Sequence, residues 1–151
     1  MKRRFLLTGF ISLTLLVNLT SFSPRNGSGL VDDVLGQTNK FRKSHRLEVL
    51  IMNNDLNAIA QKHSENMAKG RVGFGHSGFN RRFSQASRSI TGMKTFAENV
   101  AYGASSGKEV VTMWKNSSEH RRNMLGRYRY IGIGTATDRR GMIYYTQVFA
   151  N

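Results

Sequence analysis

Cysteine is missing from the 151-residue sequence. That excludes disulfides, thiol nucleophiles, thiolate metal sites and lipid-attachment thiols, so packing alone must hold the fold. Acidic residues are scarce: nine Asp and Glu stand against 23 Lys and Arg, for a formal charge of +14. No HExxH, P-loop or GxSxG pattern occurs. The local signatures of zinc proteases, nucleotide hydrolases and serine hydrolases are thus absent. No internal repeat is visible. What is present, 39% hydrophobic and 10% aromatic residues, suffices for one domain with a real core.

The one long apolar run lies at the start. Lys2, Arg3 and Arg4 precede Phe5–Val17, the charged and apolar regions of a secretory signal. Thr8, Gly9, Ser12 and Thr14 interrupt the run, and it is short for a span of ~20 residues. Residues 1–23 are therefore expected to be a signal peptide, cleaved within Leu19–Ser23, with an uncleaved anchor as the rival. Residues 24–30, PRNGSGL, read as a linker, and 31–151 as the domain. A secreted or extracytoplasmic protein, periplasmic or extracellular, follows. Removing Lys2, Arg3 and Arg4 with the signal lowers the charge from +14 to +11. Such a domain is drawn to anionic lipid or an acidic cell-envelope polymer, unless its basic surface is merely solvated. Nucleic acid would attract it equally, but export argues against that partner. A monomer is expected.

Val31, Val34, Leu35, Thr38 and Phe41 recur at helical spacing and predict a helix from Val31 to His45. Its polar face would carry Lys40, Arg42 and Lys43. A second helix, Asp55–Lys69, is capped by Asn54 and carries His63 on its apolar face, as a hydrogen-bonded core residue. A short helix over Asn80–Ala86 would bury Phe79 and Phe83. Arg88–Lys94 reads as a mobile loop and Phe96–Tyr102 as a strand. The strand contains Glu98, a carboxylate in apolar company that needs a partner. Ser106 and Glu109 form a capping box opening a helix with Val110, Val111 and Trp114 inside. Ser117 would cap a following short helix bearing His120 and Met124. A hairpin closes the chain: Ile131 and Ile133 share one face, Gly132 and Gly134 mark a close approach on the other, Thr137–Gly141 turns, and Met142–Phe149 returns.

Three stretches each centre on one titratable group: His76 in GHSGFNRR, Glu98 in AENVAYG and His120 in WKNSSEHRRNML. Two imidazoles and a carboxylate with a fourth position open match a catalytic or exchangeable zinc site. Their spacing fits no local ligand motif. A triad of Ser117 or Ser118, His120 and Glu98 can also be drawn.

Taken with NKFR at Asn39–Arg42, LNAIAQKHSENMA at Leu56–Ala68, IGIG and YYTQVF, these stretches stand in the order of a known family. From Val31 to Asn151 the chain resembles the CAP superfamily (SCP or pathogenesis-related-1-like domains) in its bacterial secreted form. The resemblance implies an α+β fold, a three-layer α-β-α sandwich with a central antiparallel sheet. It implies a cleft lined by His76, Glu98 and His120, with Ser117 where many members have a second glutamate. Those three would hold a weakly bound divalent metal such as zinc. It implies a binding protein for lipid or an envelope component, with no catalytic residue assigned; the alternative is a metal-dependent, protease-like hydrolase using the same cleft. The intact mass of protein from the extracytoplasmic fraction should lack residues 1 to about 23; a full-length mass there would favour the anchor.

Overall fold

The computed structural model describes residues 27–151, so the expected signal lies outside the described residues. Helix α1 spans Gly27–Ser44 and begins a turn before the expected start. Leu30, 7% exposed, is the reason: it extends the buried line of Val34 and Thr38 upstream by one turn. Tertiary burial there outweighs the poor helix propensity of the glycines. Arg42 departs from the expected polar face and is only 2% exposed. Its guanidinium donates to the carbonyls of Glu48 (2.9 Å), Met124 (2.7 Å) and Gly126 (2.9 Å). It thus satisfies backbone acceptors at the end of a later helix, where a cation is favoured.

Helix α2 (Asn54–Ala68) is capped by Asn53 rather than Asn54, and the Asn53 side chain accepts from the Leu56 amide at 3.0 Å. Helix α3 (Phe79–Ser89) takes in the start of the expected mobile loop, and Ile90 after it is buried. Helix α4 (Gly107–Asn116) is capped by Ser106, which accepts from the Glu109 amide at 3.1 Å. The Glu109 carboxylate turns back to the Ser105 amide and hydroxyl instead of closing the expected box on Ser106. Helix α5 (Ser118–Met124) follows directly, and Ser117 stands at its N-cap position without a side-chain capping bond.

The strands are β1 (Ile51–Met52), β2 (Phe96–Tyr102), β3 (Tyr130–Thr137) and β4 (Ile143–Ala150), in the spatial order β1-β3-β4-β2. The three long strands pair antiparallel; the two-residue β1 runs parallel to β3. Helices cover both faces, giving the expected α-β-α layering. On one face Leu30, Val110, Trp114 and Met124 pack on Ile131, Ile133 and Phe149. On the other, Leu56, Ala60 and Ala86 pack on Val148 and Ala150. No helix among the described residues is long and apolar enough to cross a membrane.

The expected close approach at Gly132 and Gly134 is to α2. A Cβ at Gly132 would overlap the backbone of Leu56, and one at Gly134 the backbone of Ala60 and Gln61. The helix then reaches past the short β1 to the open edge of β3. Asn57 accepts from the Ile133 amide at 2.9 Å, and Gln61 from the Thr135 amide at 3.1 Å. The opposite edge, on β2, is closed likewise. Trp114 Nε1 donates to the Val100 carbonyl and Asn123 Nδ2 to the Glu98 carbonyl, both at 3.2 Å. Both sheet edges are thus met by side chains rather than by another strand.

Because backbone opposes backbone at the α2–β3 seam, Gly134→Ala should cost about 3 kcal/mol or more, the upper end of overpacking. Gly36→Ala, in α1 with nothing within 4 Å of a new Cβ, should instead stabilise by roughly 0.5–1 kcal/mol. Urea denaturation of the two variants checks this; equal midpoints would remove the seam from the account.

Candidate functional site

Alternation along β2 points Ala97, Asn99 and Ala101 at the α4–α5 side and Phe96 and Glu98 at α2 and α3. The Glu98 side chain is 0% exposed. Its Oε2 accepts from Arg82 Nε at 2.5 Å, and its Oε1 from Arg82 Nη2 at 2.7 Å. His76 Nδ1 lies 2.8 Å from Oε1, and His63 Nε2 lies 4.0 Å away. The partner that Glu98 required is therefore Arg82, in a bidentate pair of the strong, charge-assisted kind. Among the described residues no buried side-chain polar atom lacks a partner.

Arg82 also organises the loop in front of it. Its Nη1 donates to the Ser77 carbonyl at 2.8 Å and its Nη2 to the His76 carbonyl at 3.3 Å. His63 Nε2 donates to the Gly75 carbonyl at 2.8 Å. Three successive carbonyls, Gly75 to Ser77, are thus held by two buried side chains. Gly78 follows with φ +80, in the left-handed region, and turns the chain tightly around the guanidinium. The His76 ring is carried on this loop, its side chain half exposed, with Nδ1 on Glu98.

His63 is the hydrogen-bonded core residue expected. Burial, chiefly, pulls its pKa below the ordinary imidazole value, helped by the charges of Arg82 and His76 and opposed by the Gly75 carbonyl and Glu98. His120, on α5, is partly buried, and its pKa is pulled down first by burial and then by the charge of His76, against Glu119. His120 comes within the electrostatic reach of His76, while its backbone carbonyl accepts from Asn99 Nδ2 at 3.1 Å. Its ring makes no bond to Glu98. Ser117 joins none of the three through its side chain.

The expected zinc ligand set is therefore not assembled. Among the described residues no group of three or more His, Cys, Asp or Glu side chains could hold a metal ion. Arg82 engages both Glu98 oxygens, so that carboxylate is not free to ligate while the pair holds. Nor do Phe79 and Phe83 lie buried as expected. Phe83 is 41% exposed, and both pack their rings against Phe96. The inner line of α3 is Arg82 and Ala86. A cavity of about 280 Å³ opens between α2 and α3. Its wall includes Lys62, His63, Arg81 and Arg82 and no carboxylate.

Sequence reasoning passed over two more features. Arg82 had a signal, a run of arginines preceding an apolar strand whose one acid lacked a partner. The other is a chain of amides, buried at Asn99 and Gln147 and half-buried at Asn123. Asn123 donates to Asn99 (2.9 Å), Asn99 to Gln147 (3.2 Å) and Gln147 to Thr38 (2.9 Å), linking α5, β2, β4 and α1. Its signal is the polar residue at an inward position in AENVAYG and YYTQVF.

The cysteine-rich secretory protein family, CAP, matches residues 35–149. A Bacillus subtilis (strain 168) relative, "Uncharacterized protein YkwD", is 31% identical over 120 residues, which is 78% of this chain and 46% of that protein. An extracellular protein containing a SCP domain from Bacillus anthracis superposes with a TM-score of 0.70 at 26% identity, over 82% of this chain and 40% of the other. An outer surface protein of Borrelia burgdorferi also reaches 0.70, at 17% identity, over 83% of this chain and 95% of the other. The chain thus spans less than half of the two Bacillus relatives.

Removing one member of a buried ion pair leaves the other charge uncompensated. Arg82→Met should cost roughly 3–5 kcal/mol, whereas the double variant Arg82→Met/Glu98→Leu should recover most of it. Chemical denaturation of both variants tests the pair; a double variant no better than the single would show that the loss comes from the loop carbonyls instead.

Proposed function

This chain belongs to the cysteine-rich secretory protein (CAP) family, and from that premise we propose that it is an exported, non-enzymatic protein that binds lipid or another envelope component through its cleft. One observation carries the reading. Glu98, the acid that catalysis or metal ligation would require, is spent on Arg82 and His76. A general base must have its proton acceptor free toward the substrate, and Glu98 does not. Around the Glu98–Arg82 pair stand the half-exposed His76, His120 held toward its neutral form within electrostatic reach of His76, and the cationic wall of the cavity between α2 and α3. Such a surface suits a ligand rich in acceptor oxygens. Export is supported by the signal-like first 23 residues and by the extracellular and outer-surface relatives.

The metal-dependent hydrolase is the alternative. It needs three protein ligands around a catalytic zinc, and Glu98 could serve only after leaving Arg82. Native mass spectrometry of the exported protein, with and without chelator, separates the two. The expected spectrum carries an organic adduct that is insensitive to chelator and reduced in His76→Ala and His120→Ala. Stoichiometric zinc removed by chelator, together with peptide or ester hydrolysis lost in the same variants, would overturn the binding role.

A further inference from the structure

Phe74, Tyr102 and Met142 are among the few large apolar side chains left exposed in the described residues, at 51%, 47% and 37%. They come from three distant parts of the chain and converge on one end of the sheet. The Phe74 ring meets Tyr102 edge-on at 4.7 Å, and Tyr102 stacks on Tyr144 at 5.7 Å. Met142 reaches Gly103, the residue after Tyr102. Scattered exposed apolar residues need no explanation; a contiguous row of three rings and a thioether does.

The same end is strongly basic. Lys69 and Arg71 follow α2, Arg139 and Arg140 form the β3–β4 turn, and the four line one groove of about 780 Å³. The single carboxylate of its wall is Asp138, which is turned to structural use. Its Oδ1 accepts from the Arg140 and Met142 amides at 2.9 Å each. Lys69 also makes an exposed 3.5 Å pair with Glu65, a contact of small energy. The groove and the row share their supports, because Phe74 continues the segment of Arg71 and Met142 ends the turn of Arg139 and Arg140.

We propose that this end of the domain, beside the loop that carries His76, is a docking face for an anionic lipid bilayer. Aromatic rings with polar tips settle at the boundary of head groups and acyl chains, and Met and Phe insert just below it. Cations beside them meet the anionic head groups. A soluble polyanion would use the groove and leave the aromatic row unexplained. The formal charge, +14 for the whole sequence and +11 without Lys2, Arg3 and Arg4, supplies the long-range attraction.

The test is sedimentation of the exported protein with two vesicle preparations. One is phosphatidylcholine; the other is phosphatidylcholine and phosphatidylglycerol in equal parts. Binding is expected to the mixed vesicles, weakening with salt, and to be much weaker to phosphatidylcholine alone. Arg139→Gln/Arg140→Gln should weaken it by roughly tenfold or more, given the attraction of each surface cation. Phe74→Ser/Tyr102→Ser should weaken it comparably with the charge untouched. All four positions are exposed, and matching melting curves confirm the fold. Trp114, 1% exposed and the chain's single tryptophan, serves as a silent background. Phe74→Trp should therefore add an emission that shifts blue on the mixed vesicles and is quenched by brominated lipid. Two results would overturn the proposal. One is an aromatic double variant that binds as wild type, or is displaced as readily by soluble poly(glycerol phosphate), which makes the groove a polymer site. The other is loss of vesicle binding in His76→Ala and His120→Ala with the face variants unaffected, which assigns the lipid to the cleft.

Discussion

Burying the Glu98 carboxylate without a counter-charge would cost several kcal/mol, and the arrangement of the cleft follows from how that cost is met. The counter-charge comes from α3, sixteen residues upstream. For Arg82 to reach the strand, α3 must lie with its Arg82–Ala86 line inward, which leaves Phe83 half in solvent against Phe96. The guanidinium has hydrogens to spare after binding Glu98, and they fasten the loop that carries His76. One ion pair therefore sets the position of a helix, the path of a loop and the orientation of an imidazole. Such a pair contributes little net stability compared with a well-packed apolar substitute; its contribution here is to geometry.

The same pair changes the chemistry of the site. Two histidines and a glutamate in the matching stretches suggest a cation, yet the glutamate is paired with an arginine. The pair is self-neutralised with basic groups around it, which favours the proposed acceptor-rich ligand over a metal. The cationic wall of Lys62 and Arg81 beside it points the same way.

Much of this was legible in the residues, and for identifiable reasons. The order of the motifs carried the family, and with it the layered fold. Periodicity found the buried faces of α2 and α4, because a stripe of Leu, Ala and Met or of Val and Trp has only one place to go. Gly132 and Gly134 announced a close approach, since their alternation with Ile131 and Ile133 left one face of the strand bare. Arg42 and Arg82 were not legible as core. Polarity predicts exposure until a partner is known, and their partners lie far along the chain, the Met124 carbonyl for one and Glu98 for the other. Strand β1 escaped because two residues carry no period. The Thr38–Gln147–Asn99–Asn123 chain escaped because each amide, taken singly, reads as an ordinary surface residue.

The sealing of both sheet edges by side chains has a bearing on assembly. Asn57 and Gln61 belong to α2, Trp114 to α4 and Asn123 to α5, so the amides of β3 and the carbonyls of β2 are covered only once those helices have docked. Until then the hairpin and β2 present two unprotected ladders, the surfaces on which separate copies of a chain join. A protein without cysteine has no covalent staple to hold it through that interval. Its safety against fibrous association rests on how soon helix packing overtakes strand pairing, and four side chains act as the closing latches.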